Sequence, residues 1–200
     1  SIALSDRADS IPYINLGTVF IFRGARAGEI RISTSAPNAR TDGSILGVES
    51  TTSNILFGSS AGAALTTGTD NFLAGDSAGV ALTEGSYNFL VGENAGATFT
   101  TATDNVGIGQ NALDSATTAT GNLAIGSSAG TAITSGNYNV LLGPGAGVAI
   151  TSGATNVAIG YIAGDAITTG ADNVAIGTSA GGGITTGSRN IAIGAGALDS

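Results

Sequence analysis

"NVAIGYIAGDAITTGAD" spans Asn156 to Asp172, and "NVAIGTSAGGGITTGSR", Asn173 to Arg189, follows it without a gap. The phrase runs well beyond these two copies. An Asn opens it at Asn54, Asn71, Asn88, Asn105, Asn122, Asn139, Asn156, Asn173 and Asn190, always seventeen residues apart, with no insertion or deletion. Residues 54–200 therefore hold eight complete repeats and an eleven-residue ninth. Unbroken self-similarity at a short period marks a solenoid, in which each repeat is one coil and the coils bury one another.

Counting each repeat from its Asn, position 5 is always Gly: Gly58, Gly75, Gly92, Gly109, Gly126, Gly143, Gly160, Gly177 and Gly194. Position 8 is always Ala, and position 13 is Thr in all eight full copies, from Thr66 to Thr185. Positions 2 and 4 are apolar throughout, as at Ile55, Phe72, Val157, Phe57 and Ile159. A helix is excluded, because Gly at fixed places would cost about 1 kcal/mol each and β-branched residues fill much of the remainder. The pattern predicts a short strand at positions 2–4, a Gly turn at 5, a small-residue corner at 8–9 and a second strand near 11–14. The Gly that often stands at 15, such as Gly68 and Gly170, is expected to turn the chain back through positive φ. The fold class is all-β: a β-solenoid, or β-roll, of seventeen-residue coils. Coils spaced ~4.8 Å apart would make a rod on the order of 40 Å long.

Two columns invite a functional question. Nine aligned Asn could be ligands, but a stack of Asn side chains can hydrogen-bond from coil to coil along the axis, and Asn also tolerates a left-handed turn. The Asn column is expected to be a structural ladder. Position 3 is Leu56, Leu73, Leu90, Gly107, Ala124, Leu141, Ala158, Ala175 and Ala192, without one polar side chain. A one-sided strand should place 2 and 4 inward and a polar residue at 3, whereas a strand apolar on both faces is usually covered on both. Apart from Gly107, these position-3 residues are therefore expected to form an interchain face against a neighbouring chain.

Composition narrows the chemistry. The 200 residues contain no His, Cys, Met or Trp, 33 are Gly, and 10% are charged. Without Cys there are no disulfides or thiolate metal sites, and without His or Cys nucleophile–base pairs are nearly excluded. Five of the six Arg (Arg7, Arg23, Arg26, Arg31 and Arg40) fall in residues 1–53 against five acids, so the repeats carry the whole net charge of −8. Such a surface should repel phosphate backbones, so no nucleic acid is expected as a partner. No apolar run is long enough for a membrane span, and membrane insertion is not expected.

Residues 1–53 are not repetitive. "NLGTVFIFRG" (Asn15–Gly24) and "GEIRIST" (Gly28–Thr34) read as two strands of a hairpin turning at "RGAR" (Arg23–Arg26). Pro37, Asn38 and Asp42-Gly43 mark further turns before the coils begin. Solenoids need covered ends, so 1–53 is expected to be a β-rich cap or attachment region ahead of the 54–200 solenoid.

Other motifs carry little. "GPGAG" (Gly143–Gly147) and "GIGQNA" (Gly107–Ala112) lack the Lys-Ser/Thr ending of a phosphate loop and fall on the repeat grid. Asp70, Asp104 and Asp172 at position 17, and Asp114, Asp165 and Asp199 at position 10, do not recur in adjacent coils as a calcium β-roll requires. No metal, cofactor or catalytic residue is expected. Regular Thr hydroxyls could order water, as an ice-binding face would, although Thr also simply suits an exposed strand.

The "NVAIG" phrase followed by a small-residue turn resembles the head repeats of trimeric autotransporter adhesins, whose coils form a β-roll in a homotrimer. The seventeen-residue form, especially "NVGIGQNALDSATTATG" (Asn105–Gly121) and "NIAIGAGALDS" (Asn190–Ser200), is more similar to repeats of phage tail-fibre proteins. The similarity covers 54–200; the adhesin repeat is usually shorter, and the self-cleaving chaperone domain in which such fibres often end is not expected within residues 1–200. The resemblance implies a structural virion protein, the trimeric shaft of a tail fibre or similar appendage. It would join other virion proteins through residues 1–53 and space them from a host receptor bound beyond Ser200. The alternatives are a bacterial surface adhesin head or extracellular filament subunit, and then an ice-binding solenoid or a capsid decoration protein.

Overall fold

The computed structural model describes the backbone of residues 13–15, 20–23, 30–33 and 46–48, and residues 53–200 with their side chains. Four strands come first: β1 (Tyr13–Asn15), β2 (Phe20–Arg23), β3 (Ile30–Ser33) and β4 (Leu46–Val48). Nine follow, one per coil: β5 (Ile55–Phe57), β6 (Phe72–Ala74), β7 (Phe89–Val91), β8 (Val106–Ile108), β9 (Leu123–Ile125), β10 (Val140–Leu142), β11 (Val157–Ile159), β12 (Val174–Ile176) and β13 (Ile191–Ile193). All thirteen lie in one sheet in chain order. β2 and β3 pair antiparallel, with Phe20 opposite Ser33 and Arg23 opposite Ile30. Apart from Arg23, the turn at 23–26 lies outside the described residues, as do the turns at 37–38 and 42–43. β4 runs antiparallel to β5, so the edge of the first coil is paired.

From β5 onward every pairing is parallel and in register, each residue facing the one seventeen further on, as Val157 faces Val174 and Ile159 faces Ile176. The repeat is thus a coil of a parallel β-solenoid. Strictly regular length matters here, because one extra residue would turn every inward side chain of a coil outward.

The second strand expected near positions 11–14 does not form. The chain turns through positions 6–11 and bends at 13–14. Closing a circuit in seventeen residues takes four left-handed residues per full coil, at positions 5, 7, 9 and 17. In the seventh coil these are Gly160, Ile162, Gly164 and Asp172. So many reversals leave only three consecutive residues extended. What remains of a second ladder is a set of main-chain bonds that converge on the position-13 carbonyl of the next coil, as from Thr168 N–H to Thr185 O at 2.8 Å, and one isolated bridge between Thr103 and Thr120.

The faces of the strand are also the reverse of the expectation. Position 3 points into the coil: Leu73, Leu90, Ala124, Leu141, Ala158 and Ala175 are wholly buried within the single chain, Ala192 is nearly so, and Leu56 packs against them. These residues are the coil's own core and not an interchain face. The physical reason is simple: a three-residue strand can turn only its middle residue inward once the Asn before it and the Gly after it face the corners. Opposite position 3 stands position 12, where Leu82, Phe99, Ile133, Ile150 and Ile167 are equally buried, and the Ala of position 8 fills the space between. Each such Leu or Ile contributes about 1.5–3 kcal/mol of burial. In the fourth coil position 3 is Gly107 and position 12 only Ala116, and there Leu113 at position 9 fills the gap, with a backbone φ of 55°. Interior volume is kept while its source moves, as close packing demands.

Candidate functional site

The solenoid presents columns in place of a pocket. The Asn ladder is the innermost. The first eight Asn of the column are buried, and each Oδ1 accepts from the next Asn twice. Asn156 donates its main-chain N–H to Asn139 Oδ1 at 2.9 Å and its Nδ2 to the same oxygen at 3.1 Å. The second Nδ2 hydrogen reaches Gly170 O at 2.9 Å. The same triplet recurs around Asn71 and Asn173. Among the described residues, no buried side-chain nitrogen or oxygen lacks a partner. A carboxamide with every donor and acceptor engaged along the axis has nothing left for a ligand.

The Gly column at position 5 is a close-approach column. Gly143 has φ +133°, and a Cβ there would lie 2.4 Å from Gly160 O in the next coil. Position 15 is different. Gly136 is not in the left-handed region, and its side is closed by Gly153 O, 2.3 Å from where a Cβ would stand. Space, rather than positive φ, explains Gly there; the left-handed turn falls at position 17, on residues such as Asp104, Tyr138 and Asp172.

The Thr column at position 13 follows the axis too. Thr168 Oγ1 donates to Thr185 O at 3.2 Å, the carbonyl that already receives the Thr168 N–H. Thr66, Thr83, Thr100, Thr117, Thr134 and Thr151 repeat the bond. Their hydroxyl protons are thus committed to the neighbouring coil.

Carboxylates are scattered. Among the described residues, no three His, Cys, Asp or Glu side chains come together in a way that could hold a metal. Asp114 is half-buried at position 10, and desolvation raises its carboxyl above the ordinary value of 3.8. Tyr87, Tyr138 and Tyr161 are exposed, the first two at position 17 three coils apart and the third at position 6, so they form no cluster.

The remaining feature is the outer face of the sheet. Because position 3 is inward, positions 2 and 4 point out, and all eighteen of these side chains in the nine coils are apolar. Phe57, Phe89 and Ile125 are 38–41% exposed. Eighteen part-open side chains amount to several hundred Å² of apolar strip, at or above the roughly 300–600 Å² of the largest patch on an ordinary monomer. At the first coils the strip is aromatic. Phe72 and Phe89 stack at 4.7 Å and 12°, and Phe57 lies 5.8 Å from Phe72.

No family model, curated protein or solved structure gives a significant match to this chain. The sequence pointed to the ladder and the Gly turns; it misplaced the apolar face by one residue and missed the left-handed positions 7 and 17. Ser, Asn and Asp at many of those places (Ser60, Ser77, Asn94, Asn111, Asp70, Asp104) were the available signal.

Proposed function

We propose that the chain is a structural element: the homotrimeric shaft of a phage tail fibre or similar virion appendage, which sets distance and stiffness. The observation that carries this reading is the unbroken apolar strip at positions 2 and 4. Its scale is that of the roughly 800 Å² each partner gives to a standard interface, and copies of the same chain offer a matching surface coil for coil. The rest of each coil spends its polar groups on its neighbours. Specific recognition needs convergent polar groups or aromatic anchors, so receptor binding is assigned to another segment or subunit. The attachment to other virion proteins is assigned to the region of residues 1–53.

Sedimentation equilibrium on the 200-residue chain should return three times its 19.2 kDa, and electron micrographs should show rods. A monomer at micromolar concentration would overturn the assembly. Antibodies raised against the coils should decorate tail appendages of purified virions; labelling confined to bacterial surfaces would overturn the virion assignment.

A further inference from the structure

A periodic strip creates a difficulty of its own. Along the last three coils the outer face reads Val157/Ile159, Val174/Ile176 and Ile191/Ile193. Sliding one copy past another by a single coil, ~4.8 Å, sets Val or Ile against Val or Ile again. Such a surface holds copies together without saying at which level, and repetitive strands are where register is weakly specified. The first three coils are different. Phe72 and Phe89 stack, Phe57 leans on Phe72, and Ala74 stands directly beside Phe57 in the position-4 column. The step from Phe57 to Ala74 is the largest change of side-chain volume on the whole face. In register, aromatic levels meet aromatic levels; after a one-coil slip, the Phe57 ring meets the Ala74 methyl and a void opens at the level below.

We propose that the aromatic ladder Phe57–Phe72–Phe89 is a register key, which locks copies of this chain level with one another while the Val/Ile coils supply adhesion. The inference rests on the self-assembly proposed above. The ladder breaks the translational symmetry of the strip at one end, much as a single distinctive residue fixes register in a coiled coil.

The chain has no Cys, so introduced thiols report without interference. One copy would carry Val174→Cys. A second copy, distinguished by a longer tag, would carry Cys in place of Val174 or Ile176 (same coil) or of Val157 or Ile159 (one coil lower). Co-expressed and oxidised, the native face should give same-coil disulfides in at least tenfold excess over adjacent-coil ones. Converting the key to the residues of later coils, Phe57→Ile with Phe72→Val and Phe89→Val, uses side chains that already fold at those positions. That variant should stay assembled by sedimentation while the excess falls to threefold or less. An assembled variant that keeps the full same-coil excess would overturn the key and place register elsewhere, for example in the antiparallel strands. A native chain that sediments as a monomer and gives no disulfides would instead remove the assembly on which the key rests. Loss of assembly in the variant alone would overturn it too, since the aromatics would then supply adhesion rather than register.

Discussion

Replacing Asn139 by Ala should be the most informative single change inside a coil. Asn139 Oδ1 is the acceptor for both the main-chain N–H and the Nδ2 of Asn156, at 2.9 and 3.1 Å, and its own Nδ2 donates to Asn122 Oδ1 and to Gly153 O at 3.0 and 2.9 Å. Removing the carboxamide takes from the Asn156 N–H and the Gly153 carbonyl the partners they have at this corner. The second Asn156 Nδ2 bond, to Gly170 O, survives. Each orphaned buried group costs about 1–3 kcal/mol, so the loss should be about 2–5 kcal/mol, a large share of a typical total of 5–15. Urea melts should show the midpoint falling by on the order of 1–2 M. Amide exchange should accelerate first in the coils of Asn139 and Asn156, because solenoid coils depend on their nearest neighbours. The control is Thr134→Val. The Thr134 hydroxyl reaches Thr151 O at 3.3 Å, but that carbonyl also takes the Thr134 N–H at 2.9 Å, so the change should cost no more than about 0.5 kcal/mol. An Asn139→Ala loss below about 1 kcal/mol, or a Thr134→Val loss of the same size, would refute the ladder as the spine of the fold.

Three further outcomes are expected. Gly143→Ala combines a left-handed φ with a Cβ 2.4 Å from Gly160 O, whereas Gly194 has φ +117° and nothing within 4 Å. Gly143→Ala should therefore lower the melting temperature much more than Gly194→Ala, which suffers backbone strain of about 1–3 kcal/mol alone. Deleting Asn156–Asp172 should leave a folded rod one coil shorter, as judged by circular dichroism, while deleting Asn156–Gly164 should destroy the register and the cooperative melt. For Asp114, the raised carboxyl value means that the folded chain holds this proton more tightly than the unfolded one. Its contribution is fully present below the ordinary value near 3.8 and is lost as pH rises through the higher folded value. Asp114→Asn should thus match the native chain near pH 3 and melt higher near pH 7, and urea melts at the two pH values check it.

The period, the Asn column and the position-5 turns were legible because each is stated by residue identity nine times over. The orientation of the strand was not. Positions 2, 3 and 4 are nearly all apolar, so hydrophobicity alone cannot say which parity is inward. Size held the answer: Ala124, Ala158, Ala175 and Ala192 suit a narrow interior shared with the Ala of position 8 and the larger residue at 12, while Val and Ile suit an outer strip. The supposed second strand failed because β-branched residues at 11–14 describe local preference, whereas the circuit is closed by backbone reversals at 7, 9 and 17. Ile162, with φ 47°, and Tyr138, with φ 57°, hold left-handed conformations that nothing in their side chains advertises. They are held there by the coils above and below.

The direction of the hydrogen bonds has a mechanical consequence. Every ladder, whether main-chain, Asn or Thr, runs along the axis, so the interfaces between coils carry tension on the two ends of the rod in series and not in parallel. The weakest interface gives way alone, and the coil it frees can pay out its contour. Seventeen residues extend to roughly 55 Å, against a folded rise of ~4.8 Å, so each rupture lengthens the chain by on the order of 50 Å. Resistance to bending and compression would come from the stack as a whole, yet a sharp pull would be absorbed as a series of small, separate lengthenings. Pulled in an optical trap, a single chain should yield in a staircase of nearly equal steps, one for each seventeen-residue turn.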